Sequence, residues 1–296
     1  MSLASWMIRV LDRRGGRRVL AWLLNSYARR LTRADVKVAY DGVWLHAVDG
    51  RWFADRPRFD LYPPQIAAWP RTADRVIESA RDQWFHSYRP LPGHVIVDVG
   101  AGDGGDVLVF AEAVGPTGRV VAIEAHPVTF CRLQAACRRN GLDNVTCVHA
   151  AVTDKPGVVT IEDGRHDASN RIRAAGGAGF AVRGDTLDAL LAEAGVEHVD
   201  FVKMNIEGAE RQALRGMTAT LACAPHLCIA CHDFRAAQDP TLATRDEVSA
   251  ALSAAGFEVL FRDSDPREYT RDHAHAVRRG GCSRAPARRA LTAAAR

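Results

Sequence analysis

The stretch Val95-Ile-Val-Asp-Val-Gly-Ala-Gly-Asp-Gly-Gly-Asp106 decides the fold. Its apolar first half reads as a buried strand and its second half as a glycine turn that enters a helix. Gly100, Gly102 and Gly104 let the backbone approach a ligand where a Cβ would intrude. Gly100, Gly102 and Gly105 also satisfy the G-x-G-x-x-G spacing of dinucleotide sites. Two details set this copy apart. Asp98 stands two residues before the first glycine, where a carboxylate can accept a hydrogen bond from a ligand ammonium. Asp103 and Asp106 add negative charge where a pyrophosphate needs bare N–H groups and a positive helix end.

Outward from this turn, short apolar strands alternate with helices. The strands are expected at His94–Val99, Arg119–Glu124, Val145–Ala151, Phe201–Asn205, His226–Cys231 and Phe257–Phe261. Helices are expected near 104–114, 127–140, 185–195, 208–222 and 244–255. Such alternation means an α/β fold, a mainly parallel sheet with helices on both faces. Ligands of such sheets bind beyond the carboxyl ends of the strands. Glu124 ends the second strand, 24 residues beyond Gly100, and an acid there can take both hydroxyls of a ribose. Asp98, Gly100, Ala101, Gly102, Glu124 and Ala125 together suit S-adenosyl-L-methionine (SAM), with a nucleotide or no ligand as the alternatives. Ala151 to Asp154, after the third strand, should border the adenine. Glu78, on a helix preceding the sheet, is a weaker candidate for the methionine end.

Val97-Asp-Val-Gly-Ala-Gly-Asp-Gly104 resembles motif I of class I SAM-dependent methyltransferases. Gly115-Pro-Thr-Gly-Arg-Val-Val-Ala-Ile-Glu-Ala-His-Pro127, Asn140-Gly-Leu-Asp-Asn-Val-Thr146, Asp185-Thr-Leu-Asp188 and Val199-Asp-Phe-Val-Lys-Met-Asn-Ile-Glu-Gly-Ala-Glu210 follow in the order of the FkbM-type family. The resemblance covers roughly residues 75–262. It implies a Rossmann-like fold and O-methylation of a hydroxyl on a natural product, saccharide or glycolipid. Two positions depart from the family pattern: Gly102 stands where Asn is usual, and Asn205 where Asp is usual. The second weakens any role that needs a carboxylate there, so a Mg²⁺ site is disfavoured.

Methyl transfer to a hydroxyl needs in-line positioning, exclusion of water and a proton acceptor within reach. Two clusters sit at the right strand ends: Lys203 to Gly208, and His232-Asp233. His232 is the natural base by its ordinary pKa of roughly 6.5, with Glu207 or Asp233 to orient it. His232 and Glu207 each have a bland alternative: His232 as a polar cap on a strand terminus, and Glu207 at the start of a helix whose N-terminal dipole it stabilises. Cys228-Ile-Ala-Cys231-His232 mimics a haem-attachment spacing. On a strand, however, residues three apart face opposite sides, so the cysteines read as buried apolar groups.

The flanks read differently. Residues 1–37 carry eight Arg and Lys37 against Asp12 and Asp35, a net +7, and 278–296 carry six Arg and no acid. The whole chain of 296 residues is only +4, so the intervening body is acidic. We divide it into a basic helical segment (1–37), a β-meander and helix (38–92), the methyltransferase domain (93–279) and a basic tail (280–296). The first helix spans 3–31, split at Gly15-Gly16, and either packs on the body or lies on a membrane surface. Asp41-Gly42 and Asp49-Gly50 punctuate the meander over 36–62, Pro63-Pro64 should end it, and a helix should run from Thr72 to Tyr88. The polar stretch 162–183 reads as a loop over the site. No apolar run is long enough to span a bilayer, no export signal is evident, and seven cysteines without framework spacing fit a reducing cytosol. The acceptor that the family resemblance implies is a small molecule or glycan rather than nucleic acid. A nucleic-acid methyltransferase using the basic ends, and a non-catalytic binding module, are the competing functions.

Overall fold

The structure is a computed structural model that describes residues 3–13, 15–55, 63–162, 172–173 and 179–280. Helices α1 (Leu3–Leu11) and α2 (Arg17–Leu31) part at Gly15-Gly16, as the glycines imply. A Cβ on Gly16 would meet the Leu11 carbonyl oxygen at 2.5 Å, so only glycine allows this reversal. Leu20, Leu24 and Ala28 recur at i, i+4 and bury the inner stripe of α2. Strands β1 (Val36–Asp41), β2 (Val43–Val48) and β3 (Arg51–Ala54) form an antiparallel meander beside it. Asp49 and Gly50 both have positive φ, which matches the right-handed twist a two-residue hairpin turn needs.

Two asparagines bind this front layer to its neighbours by imitating a strand edge. Asn25 on α2 gives its amide N–H to the Val38 carbonyl (2.9 Å) and accepts from the Val38 N–H (2.8 Å). Asn140 does the same with Trp52 of β3, at 2.7 and 2.8 Å. A primary amide has a donor and an acceptor side by side, so it can satisfy both groups of one unpaired backbone residue.

Helix α3 (Pro63–Trp84) begins at the prolines that were expected to close the meander, nine residues before the expected start at Thr72. Proline is at home in a first helical turn, where its missing N–H would have no partner anyway. The helix also stops at Trp84, short of Tyr88.

The main body follows: β4 (Val95–Val99), α4 (Gly105–Val114), β5 (Arg119–Glu124), α5 (Pro127–Asn140), β6 (Val145–His149), β7 (Ala151–Val152), β8 (Gly157–Glu162), β9 (Ile172–Arg173), β10 (Gly179–Asp185), α6 (Leu187–Glu193), β11 (Phe201–Met204), α7 (Glu210–Arg215), α8 (Thr218–Cys223), β12 (His226–Ala230), α9 (Arg245–Ala254), β13 (Phe257–Leu260), α10 (Glu268–Arg271) and β14 (His273–Arg278). A seven-stranded sheet has the order β13-β14-β12-β11-β4-β5-β6. All its pairings are parallel except those of β14, which runs antiparallel to both β12 and β13. The chain steps from β4 to β5 on one side and returns to β11 on the other. A crevice therefore opens beyond the carboxyl ends of β4 and β11.

Other elements differ from the expected ones as well: the strand expected over Val145–Ala151 is split into β6 and β7, which belong to different sheets. β14 was not anticipated, because its His-Ala-His-Ala start reads as polar although His273 and His275 are buried. The 162–183 segment is a loop only in part: β10 pairs with β8 and β7, and β8 with β9, in a second sheet ordered β7-β10-β8-β9. Arg165, His166, Asn170, Arg171 and Gly176-Gly177 lie outside the described residues. The expected helix 208–222 is two, broken at Gly216-Met217. A Cβ on Gly216 would meet the Thr153 carbonyl oxygen at 2.0 Å, so a continuous helix with a side chain there could not approach β7. Cys228 and Cys231 face opposite layers of core, as their spacing implies.

Candidate active site

The crevice is a cleft of about 310 Å³ whose wall includes Gly100, Ala101, Gly102, Asp106, Glu124, Ala125, Ala151, Lys203, Asn205 and Glu207. Most of the residues singled out from sequence therefore meet in one place. Gly100 has φ +77°, and a Cβ there would strike the Asn205 carbonyl oxygen at 2.1 Å. This glycine lets the first turn and the end of β11 touch across the mouth of the cleft. Gly102 has φ +59° with open space where its Cβ would be, so it serves backbone conformation rather than close packing.

Glu124 accepts from the Gly102 N–H (2.9 Å) and the His126 N–H (2.8 Å), one bond to each oxygen. The carboxylate is thus fixed in place with lone pairs to spare. Burial raises its pKa to about 7, and the two backbone bonds oppose that rise. Beside it the wall is apolar, with Ile123, Ala150, Val152 and Ile161.

Asp98 is not a cleft residue. It is fully buried, and its Oδ1 lies 2.7 Å from Nζ of Lys203, its direct partner across the β4–β11 ladder. The ammonium also donates to the Gly100 carbonyl (2.8 Å) and stands 3.8 Å from Asp106. Burial works against the Lys203 cation, but Asp98 and Asp106 outweigh it and raise the pKa. Burial raises the Asp98 pKa to about 6, with Lys203 opposing, so the pair is ionised near neutrality. Asp106 in turn accepts from the Trp84 indole N–H at 3.0 Å. Asp98 holds the glycine turn through Lys203 and does not line the cleft. Lys203 and Asp106 are the wall residues that sequence reasoning passed over in these roles.

Two further candidates also lie off the wall. Glu78 is exposed, while Val76 of the same helix lines the cleft. Residues two apart on a helix point about 200° apart, so both cannot face the same way. Asp154 turns towards α7, where it accepts from Gln212 (3.1 Å) and Arg215 (3.4 Å).

At the other rim the chain leaves β11 through Asn205-Ile206-Glu207-Gly208. Glu207 has φ +55°; among the described residues only Asp49 is another non-glycine with positive φ. Such strain marks a side chain that its surroundings force into place. Buried Glu210 accepts from the Ile206 (3.3 Å) and Gly208 (3.2 Å) N–H groups and so shapes the loop. Glu207 is ion-paired to Arg235 (2.5 Å) and lies 3.4 Å from His232 Nε2. His232 stands behind the wall, its Nε2 3.1 Å from the Asn205 amide oxygen and its Nδ1 3.5 Å from Glu210. Burial disfavours the imidazolium, but Glu207 and Glu210 outweigh it and lift the pKa to about 9. His232 is therefore a cation at neutral pH, not the free base its ordinary pKa suggests. Bonded to that cation through its oxygen, Asn205 keeps its amide N–H groups for other partners.

The sheet order, the glycine turn and the cleft define a Rossmann-like class I methyltransferase fold. Residues 98–259 match the Methyltransferase FkbM domain, and the chain belongs to that family. No curated protein matches it. Among solved structures it is similar to the methyltransferase FkbM from Methylobacillus flagellatus KT, with 17% identity and a TM-score of 0.47 over 86% of this chain and 57% of that one. It thus spans little more than half the length of that protein. It is also similar to Aeropyrum pernix fibrillarin in complex with natively bound S-adenosyl-L-methionine, with 15% identity and a TM-score of 0.40 over 82% of this chain and 98% of that one.

The buried pair gives a direct prediction. Lys203→Met leaves Asp98 buried without its cation and should destabilise the fold by about 3–5 kcal/mol in urea denaturation. Lys203→Met combined with Asp98→Asn should recover most of that loss, because a neutral pair needs no counter-charge. Equal loss in single and double variants would show that the pair is not the unit described.

Proposed function

We propose that the chain binds SAM in this cleft and O-methylates a hydroxyl of a small molecule or glycan. The carrying observation is the juxtaposition of fixed Glu124 and the strained Asn205–Glu207 loop on the wall of one cleft. SAM suits the wall: Glu124 has capacity for two ribose hydroxyls, the apolar side formed by Ala151 and Val152 suits a purine, and Asp106, Glu124 and Glu207 together favour a cationic ligand. When bound, SAM supplies an electrophilic methyl group.

The protein's own part is to place an acceptor hydroxyl and take its proton. Glu207 lines the cleft and its pKa lies below the ordinary carboxylate value: burial opposes this, and His232 and Arg235 outweigh burial. It is thus ionised and able to accept the hydroxyl's hydrogen bond. The His232 imidazolium fixes Glu207 and Asn205 from behind, so it is a positioning residue. Glu207, rather than His232, receives the proton or passes it to solvent. The cleft takes the reacting atoms out of bulk water.

Turnover of SAM against a panel of hydroxylated metabolites and saccharides, with RNA as a separate arm, tests the acceptor class. Transfer to RNA alone would reject the reading. Glu124→Ala should weaken SAM binding at least about tenfold in calorimetry, from lost hydrogen bonds to a charged acceptor. Wild-type affinity should strengthen from about pH 6 to about pH 8 as Glu124 loses its proton, and the variant should lack that trend.

The pH profile separates the two proton acceptors. A His232 base would switch activity on as pH rises through its ordinary pKa of roughly 6.5. Held as a cation, His232 should give no such rise. Activity should instead decline as pH passes about 9 and the imidazolium is lost. A limb near pH 6.5 that vanishes in His232→Gln would restore histidine as the base.

A further inference from the structure

Cys228, His273 and His275 form a cluster that the cleft does not use. Cys228 on β12 and His275 on β14 are direct partners across an antiparallel ladder. His273 is two residues from His275, so it projects from the same face of the sheet. All three are buried, at 0%, 4% and 1% exposure. One ligand atom from each lies within 4.8 Å of the others. Both ring nitrogens of His275 and Nδ1 of His273 have no hydrogen-bond partner. Buried nitrogens are rarely left so; Trp84 stacks on His273 at 4.7 Å, and the Cys228 thiol makes only a long contact, 3.9 Å, to the Gln83 carbonyl oxygen.

We propose that Cys228, His273 and His275 hold a Zn²⁺ ion that clasps β14 to β12. One thiolate and two imidazoles are a donor set suited to tetrahedral zinc. A water would complete the shell, on the side where His86 lies with its ring centre 5.0 Å from that of His275. The ion would tie the antiparallel strand into the sheet and engage one ring nitrogen of each histidine. It is independent of the methyl-transfer reading, since none of the three residues lines the cleft.

The test uses tag-free, full-length protein. After incubation with Zn²⁺ and gel filtration, elemental analysis should find one equivalent per chain. Co²⁺ in its place should give a thiolate-to-metal charge-transfer band. Cys228→Ser should lose the band, and His275→Asn should lose retention of the metal. Both wild-type readings stand whether or not a variant folds. A folded wild type that neither retains Zn²⁺ nor shows the Co²⁺ band overturns the proposal.

A different observation carries a second inference, at the opposite end of the chain. Helices α1 and α2 bury Ile8, Leu20, Leu24 and Ala28 against Trp44 and Trp69, yet they also present apolar groups outward. Trp6, Met7, Val10, Val19, Trp22, Tyr27 and Leu31 make up seven of the thirteen exposed large hydrophobics among the described residues. Exposed Arg9, Arg13, Arg18, Arg29, Arg30 and Arg33 lie among them. The one acid of residues 3–33, Asp12, is engaged by Arg17 and Trp44. Tryptophan beside arginine on a helix lying flat is the composition of a membrane interface. We infer that this helix pair docks the protein on an anionic lipid surface.

Vesicle flotation of the full chain should show binding to phosphatidylglycerol vesicles, weakened by salt, and none to phosphatidylcholine. Trp6→Ser with Trp22→Ser should abolish it while SAM affinity is unchanged. No flotation with either lipid, or tryptophan-dependent self-association without vesicle binding, overturns the inference.

Discussion

The ion pair between Asp98 and Lys203 is the interaction on which the site depends. Its two members face each other across the centre of the sheet, and both are buried. A buried pair of this kind is costly to form and more costly to break, so it sets geometry rather than adding stability. The ammonium grips the Gly100 carbonyl and so fixes the glycine turn. It also stands 5.0 Å from the centre of the Trp84 ring, whose N–H holds Asp106 at the start of α4. One cation thereby connects β4, β11, α4 and the end of α3. The glycine turn then has one position, and its Gly102 N–H meets Glu124 where β5 ends.

Much of this was legible in the residues. The apolar runs of β4, β5 and β11 and the glycines after β4 placed the cleft at the strand ends, and Glu124 followed from its position one strand on. The role of Asp98 was misread because a lone carboxylate before a glycine turn suggests a ligand contact. The missing signal was present: Lys203 interrupts the apolar strand Phe201–Met204 just as Asp98 interrupts Val95–Val99. A charge in the middle of each of two neighbouring buried strands calls for the other. His232 was misjudged for a related reason. Its ordinary pKa says base, but Glu210, 22 residues earlier, meets it only in the folded chain. Helix α3 hid behind Pro63-Pro64, which mark a helix start as well as they mark a strand end. Strand β14 hid behind histidines, which read as polar although their rings are buried.

The charge distribution resolves into two uses. In the body, acids flank the cleft and are held by specific partners: Glu124 by backbone N–H groups, Glu207 by Arg235 and His232, Asp106 by Trp84. At the front, α1 and α2 combine arginine with outward tryptophan, while their inner stripe packs on the β1–β3 layer. The paired amides of Asn25 and Asn140 join that layer to α2 on one side and α5 on the other, so the basic helices are seated on the same framework that holds the site.

The central claim is that the glycine turn after β4, the end of β5 and the start of β7 together form the SAM site. Hydrogen–deuterium exchange of the full chain with and without saturating SAM tests this most directly. The account predicts added protection in residues 99–106, 123–126 and 150–152, and no change in β1 to β3. Unaltered exchange in those three segments, or protection confined to other parts of the chain, would contradict it.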